Sequence, residues 1–239
     1  MEEQKIEHHH KVDNNGAKQI AGAILIVGVL IAGAILLRGS SRVGAPAGTV
    51  PISKQIGLKI KSFDACIASG KFKDKVQADI DDGIKAGVTG TPSSFMVKEG
   101  KVVSFISDNG ISSNTIPGAQ PYETIMKNLE RIKNEEVGSV ETKLKPVNPD
   151  DHIIGNINAK IIIVEYSDLD CPFCKTFHKT MHRVVKDMNG DVAWVYRHYP
   201  IPQLHPNAFQ KAEATECAWE QGGNDAFWKY TDKVFEITS

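Results

Sequence analysis

Apolar residues follow three different rhythms along this chain. Residues 20–37 are all apolar or glycine, close to the length of a helix that crosses a bilayer. Between residues 50 and 133 the spacing turns helical. It predicts helices at 52–56, at 62–69 around Cys66, and at 72–86, where Val76, Ile80 and Ile84 share one face. Two strands, 94–98 and 102–106, then flank Glu99-Gly100, a hairpin signal. A polar loop at 107–119 leads to an amphipathic helix at 122–133, with Ile125, Leu129 and Ile132 facing inward. The third rhythm opens on Ile161-Ile162-Ile163-Val164, a β-branched run that predicts a buried strand. Phe173, Phe177, Met181, Val184, Val185 and Met188 then recur at helical spacing up to the stop signal Asn189-Gly190. A strand at 192–196, a turn at Tyr199-Pro200-Ile201-Pro202, and helices at 206–221 and 225–236 complete the pattern.

Two stretches carry no rhythm: 39–50, rich in Gly, Ser, Ala and Pro, and 134–151, broken by Pro146 and Pro149. The chain therefore divides into a polar tail (1–18), an apolar anchor (19–38), a linker (39–50), a first block (51–135), a second linker (136–150) and a second block (151–239). A cleavable signal has a shorter apolar region, so the anchor is expected to remain. Lys5, Lys11 and Lys18 precede it, against Arg38 and Arg42 after it. That bias puts the N-terminus in the cytoplasm and the blocks outside the membrane.

Of the 239 residues, 41% are hydrophobic and 24% charged, as in a globular protein, and the net charge of −1 gives no electrostatic case for nucleic acid. His8-His9-His10 reads as part of a solvated tail. Four cysteines (Cys66, Cys171, Cys174, Cys217) are too few for a disulfide scaffold. Cys171 and Cys174 stand where the predicted strand ends and the helix begins, with Pro172 at the first helical position, where its missing N–H costs nothing. A thiol there faces unpaired backbone N–H groups and the positive end of the helix dipole, so its thiolate is favoured. Cys174, one turn on, is within reach to form and release a disulfide. A metal site competes: Cys171, Cys174, His178 and His182 are spaced as four ligands for zinc or copper(I), with positions 174, 178 and 182 on one helical face. Otherwise His178 and His182 are surface groups, and His198, His205 and Trp219 are core or surface residues without an evident partner.

The second block, with its strand, Cys-Pro-Phe-Cys motif, helix, strand and Tyr-Pro turn, resembles the N-terminal half of the DsbA-like thiol–disulfide oxidoreductases of the thioredoxin superfamily. The first block, with its helices, Gly90-Thr91-Pro92 loop, two strands and final helix, resembles their C-terminal half. The order of the halves is reversed. The resemblance implies an α/β thioredoxin-like fold with a helical insertion, circularly permuted and preceded by one transmembrane helix. The linker can span roughly 50–60 Å when extended, so closure is easy. The competing arrangement, two half-domains that stay apart, would leave sheet edges and apolar faces exposed.

Carried over residue by residue, the resemblance makes Cys171 the reactive thiol and Cys174 its buried partner. Glu165 becomes the buried acid that assists proton transfer, and Thr91-Pro92 the cis-proline loop that, with Pro172 and Phe173, meets substrate. Phe173 departs from the histidine of strongly oxidising members, which leaves open a milder oxidant, an isomerase or a reductase. Cys66 and Cys217 fall in the helical insertion, either as a structural disulfide or as two unpaired thiols. The implied activity is disulfide formation in exported proteins with free thiols. It needs no cofactor beyond the redox-active disulfide, and a membrane quinone-linked protein of the DsbB or vitamin-K-epoxide-reductase type would reoxidise it.

Overall fold

The structure, a computed structural model, describes residues 51–238. The tail, the apolar run at 19–38 and the linker at 39–50 lie outside the described residues. Among those described, no helix is long and apolar enough to cross a membrane.

Helices α1 (Ile52–Gln55), α2 (Ile60–Ser69) and α3 (Lys73–Ala86) come first. Strands β1 (Ser93–Lys98), β2 (Lys101–Val103), β3 (Phe105–Ile106), β4 (Ser112–Ser113) and β5 (Ile116–Pro117) follow, then α4 (Tyr122–Asn134). The second block supplies β6 (His152–Ile154), β7 (Ile161–Ser167), α5 (Pro172–Asp187), β8 (Val192–His198) and α6 (Ala208–Ile237). The main sheet runs β2-β1-β7-β8-β6, with β5 on the near end of β1. Only β7 and β8 are parallel; β1 lies antiparallel to β7 with Ser94 opposite Glu165.

The two blocks thus share one sheet, and the half-domain arrangement is excluded. The strand after the Thr91-Pro92 loop pairs along its whole length with the strand before Cys171. Side chains alternate across the sheet. Ile161, Ile163, Trp194 and Tyr196 join the larger core with Leu129 of α4, Phe177 and Met181 of α5, and Phe227 of α6. Phe95, Ile162, Val164, Tyr166 and Val195 face the other way, against Val88, Leu144 and Val147. On that side α3 approaches so closely that a Cβ on Gly83 would stand 2.8 Å from the Tyr199 ring and 2.9 Å from Tyr166.

Several expected elements differ. The strand at 102–106 is interrupted at Ser104, and its second part pairs instead with β4. β6 was not expected; it binds antiparallel to β8 as the sheet's edge. The two expected C-terminal helices are both present, separated by a break at Gly222 and Gly223, whose φ values are −143° and 63°; α6 names the two together.

The linker is tied down along its length. Val140 donates to the Val102 carbonyl (2.8 Å) and Lys145 N–H to Asp82 (3.0 Å). Arg197, on the α3 face of β8, donates to the carbonyls of Lys145 (3.0 Å) and Pro146 (3.3 Å). It also pairs with Asp82 of α3 (2.8 Å) and Asp151 (2.9 Å). In the insertion, Cys66 of α2 and Cys217 of α6 form a disulfide, with Cα atoms 5.9 Å apart.

Candidate active site

Cys171 is the N-cap residue of α5 and Pro172 opens the helix. The preceding loop is held by Asp168, whose backbone carbonyl accepts from Cys171 N–H at 3.1 Å. Its carboxylate accepts from Asp170 N–H (2.8 Å), Ile201 N–H (2.8 Å) and His205 Nδ1 (2.9 Å). Asp168 N–H in turn points at the Cys174 sulfur, 3.4 Å away. From the far end of the chain, Thr238 donates its hydroxyl to the Leu169 carbonyl at 3.0 Å. Lys211, between them, pairs with Asp170.

The Thr91-Pro92 peptide is cis, and the Thr91 carbonyl lies 3.5 Å from the Cys171 sulfur. β5 braces that loop: Gly118 N–H donates to the Pro92 carbonyl at 3.0 Å. Thr91 and Pro92 are therefore brought from the first block to Cys171 and Cys174 of the second, 80 residues on. Cys171 is more covered than a fully open thiol, at 4% exposure against 0% for Cys174. Phe173 beside it is exposed.

Both thiols are unpaired, and they titrate in opposite directions. A hydrogen bond from the Cys174 thiol, aided by backbone N–H groups and opposed by burial, brings Cys171 down to about 6. Burial, with the neighbouring Cys171 and Glu165, pushes Cys174 well above its ordinary range. Glu165 lies on the same sheet face as Ile161 and Ile163, fully buried beneath α5. Its Oε2 accepts from Trp194 Nε1 at 2.9 Å, while Oε1 has no partner. Burial raises Glu165 to about 7, hydrogen bonds oppose the shift, and the Cys171 charge adds to it. A carboxyl poised near neutrality, electrostatically linked to two thiols of opposite shift, can hold or release the proton that the dithiol exchanges.

The four-ligand metal set does not assemble. Cys174 turns toward Asp168, whereas His178 and His182 meet Asp232 of α6, at 2.7 and 2.9 Å. The surface reading of His178 is corrected as well: it is 5% exposed, packed against Trp194 and Phe235. Burial lowers its affinity for a proton. His198 and His205 also have partners, Glu216 and Asp168. Asp168, Trp194, Asp232 and Thr238 escaped the sequence reading. Only Asp168 carried any signal, through its place three residues before Cys171.

Residues 147–238 match a family model described as thioredoxin. Among curated proteins, the Na(+)/H(+) antiporter NhaA 1 of Mycolicibacterium vanbaalenii is 38% identical over 94 residues, which is 39% of this chain and 15% of that protein. The Na(+)/H(+) antiporter NhaA 3 of Salinispora tropica is 41% identical over 88 residues, 36% of this chain and 13% of that protein. The chain thus spans only about one seventh of the curated relatives it matches. A crystal structure of Pseudomonas aeruginosa DsbA2 shares 40% identity over 38% of this chain and 50% of that one, with a TM-score of 0.35. The fold assignment rests on strand order and the family match, not on that superposition. With its dithiol at the head of the helix after β7 and a cis-proline loop facing it, this chain carries a thioredoxin-like domain.

Proposed function

We propose that this protein is a membrane-anchored thiol–disulfide oxidoreductase that forms disulfides in exported proteins. The observation that carries the reading is the opposed pair of thiols above Glu165. In the oxidised enzyme a substrate thiolate attacks the Cys171 sulfur and releases Cys174, which takes up a proton. A second substrate thiol then attacks its partner sulfur in the mixed disulfide and releases Cys171. Two electrons pass to the enzyme, and Cys171 with a value of about 6 leaves readily as a thiolate. Stabilising that thiolate stabilises the reduced enzyme, which makes the disulfide the stronger oxidant. Glu165 is the group that exchanges a proton with Cys174.

On this reading the chain is a circular permutation of the DsbA-like domain, with the reversed blocks closed through residues 136–150. Residues 19–38 anchor it with the N-terminus in the cytoplasm, and a quinone-linked membrane protein of the DsbB or vitamin-K-epoxide-reductase type takes the electrons. In the antiporter relatives we read the matched segment as a thioredoxin-like domain joined to a transporter, so transport is not carried over. Phe173 supports a second direction, reduction or isomerisation, because it supplies no charge or donor to the thiolate.

Equilibration of the purified protein with glutathione separates oxidation from reduction. A potential more oxidising than about −200 mV supports the oxidase, and one near thioredoxin's, about −270 mV, refutes it. In the same preparation, alkylation of the reduced enzyme should rise with a midpoint near pH 6, label Cys171 and spare Cys174.

A further inference from the structure

Beyond the dithiol, we propose that His178, His182 and Asp232 form a binding site for one divalent transition-metal ion of the zinc class. His178 Nε2, His182 Nε2 and Asp232 Oδ1 make a closed triangle with edges of 2.7, 2.9 and 3.1 Å. Hydrogen atoms cannot satisfy all three edges. An imidazole nitrogen is either a donor or an acceptor, never both, and an ionised carboxylate only accepts. If both nitrogens donate to Asp232, two N–H groups face each other across the 3.1 Å edge. If one nitrogen presents a lone pair to the other, that lone pair also faces the carboxylate. A cation between the three atoms accepts a lone pair from each.

A second, fully buried His–His–carboxylate cluster has a different geometry. Glu216 Oε1 lies 2.7 Å from His152 Nε2 and 3.1 Å from His198 Nε2. Those are two edges for two possible donors, with no close contact between the two nitrogens, so protons suffice. That cluster is also closed to solvent. At His178, His182 and Asp232 one ligand is buried, and the side chains of the other two are each 39% exposed. The half-exposed side chains of His182 and Asp232 leave the triangle open to solvent on one side.

The donor set selects the ion. Two imidazoles and one carboxylate suit zinc and its first-row neighbours, whereas calcium and magnesium demand oxygen. With metal–ligand bonds of about 2.0–2.1 Å, edges of this length subtend angles of roughly 80–100°, so the three atoms cap one side of the ion. A tetrahedral site needs edges of about 3.3 Å, an expansion of a few tenths of an ångström that the half-exposed His182 and Asp232 can supply. His178 Nδ1 has no hydrogen-bond partner, so with Nε2 on the ion its N–H is left without an acceptor, a cost that the three ligand bonds must exceed. The ion would pin α6 to α5 about one and two turns after Cys174, on a set that contains neither cysteine.

The test uses the full chain in detergent, made metal-free, with His8, His9 and His10 replaced by serine and Cys171–Cys174 held as a disulfide. Zn²⁺ is titrated by calorimetry and Co²⁺ by its visible absorption. One ion should bind per chain, and His182→Ala and Asp232→Asn should each weaken it roughly tenfold or more. The glutathione equilibrium should be the same in His182→Ala as in the parent. No binding in the parent, or equal binding in parent and variants, overturns the proposal. Should Asp232→Asn fail to fold, His182→Ala, a partly exposed position, decides alone, with its circular dichroism matched to the parent.

Discussion

Glu165 shows how one side chain can couple the site to pH. Its value is about 7 in the folded chain against an ordinary 4.5, because burial penalises the charge. The folded state therefore keeps a proton that the unfolded state loses between pH 4.5 and 7, and stability falls as pH rises through that window. The unfolding free energy from urea should decline over that range relative to Glu165→Gln, by up to about 3 kcal/mol with the thiols free and by less in the oxidised protein, where the Cys171 charge is gone. Cys171 works with the opposite sign: its lowered value stabilises the reduced chain as pH rises from about 6 to its ordinary 9. At this scale the sequence was informative where the chemistry is local. Cys171, Pro172 and Cys174 lie on one turn, whereas Glu165 was singled out only through the family resemblance. Asp232 and Trp194 reach their partners only through packing of α6 and β8, which no local spacing records.

Among the elements, the insertion helices depend on a single covalent tie. Cys66 and Cys217 join α2 to α6 across 151 residues of sequence, and constraining so long a loop removes much of the unfolded chain's freedom. Replacing both by serine should lower unfolding stability by about 2–4 kcal/mol, read from thermal or urea unfolding of the non-reduced proteins. The glutathione equilibrium of Cys171 and Cys174 should change little, since α6 keeps its hold on the loop through Lys211 and Thr238. Periodicity located α3, α4, α5, β1 and β7 because each has enough residues to display a period. It passed over β6, three residues whose strand character comes from pairing with β8, and β5, which is two residues bound to β1. Ser104 breaks a run that looks continuous in apolar pattern, because the second half has another partner.

For the molecule as a whole, closure of the two blocks converges on Arg197. It is buried on the α3 face of the sheet and holds Asp82 from the first block, Asp151 from the second, and two carbonyls of the connecting segment. Arg197→Met would leave two buried carboxylates without a countercharge, at a cost of about 3–5 kcal/mol, measurable as a lower urea midpoint. The apolar pattern predicted that segment as a bare linker because its anchors are backbone groups, which have no signature in side-chain rhythm.

The pairing of β1 with β7 also sets a schedule. As the chain is synthesised, β1 and β2 emerge first, and the inner edge of β1 waits for a strand that begins 63 residues after Lys98. At about 5–20 residues per second that wait lasts roughly 3–13 seconds. For that interval Phe95, Met96 and Val97 sit beside an open row of backbone donors and acceptors, a template for any stray strand. Until β7 arrives, that open edge makes the nascent chain prone to pair with the wrong strand.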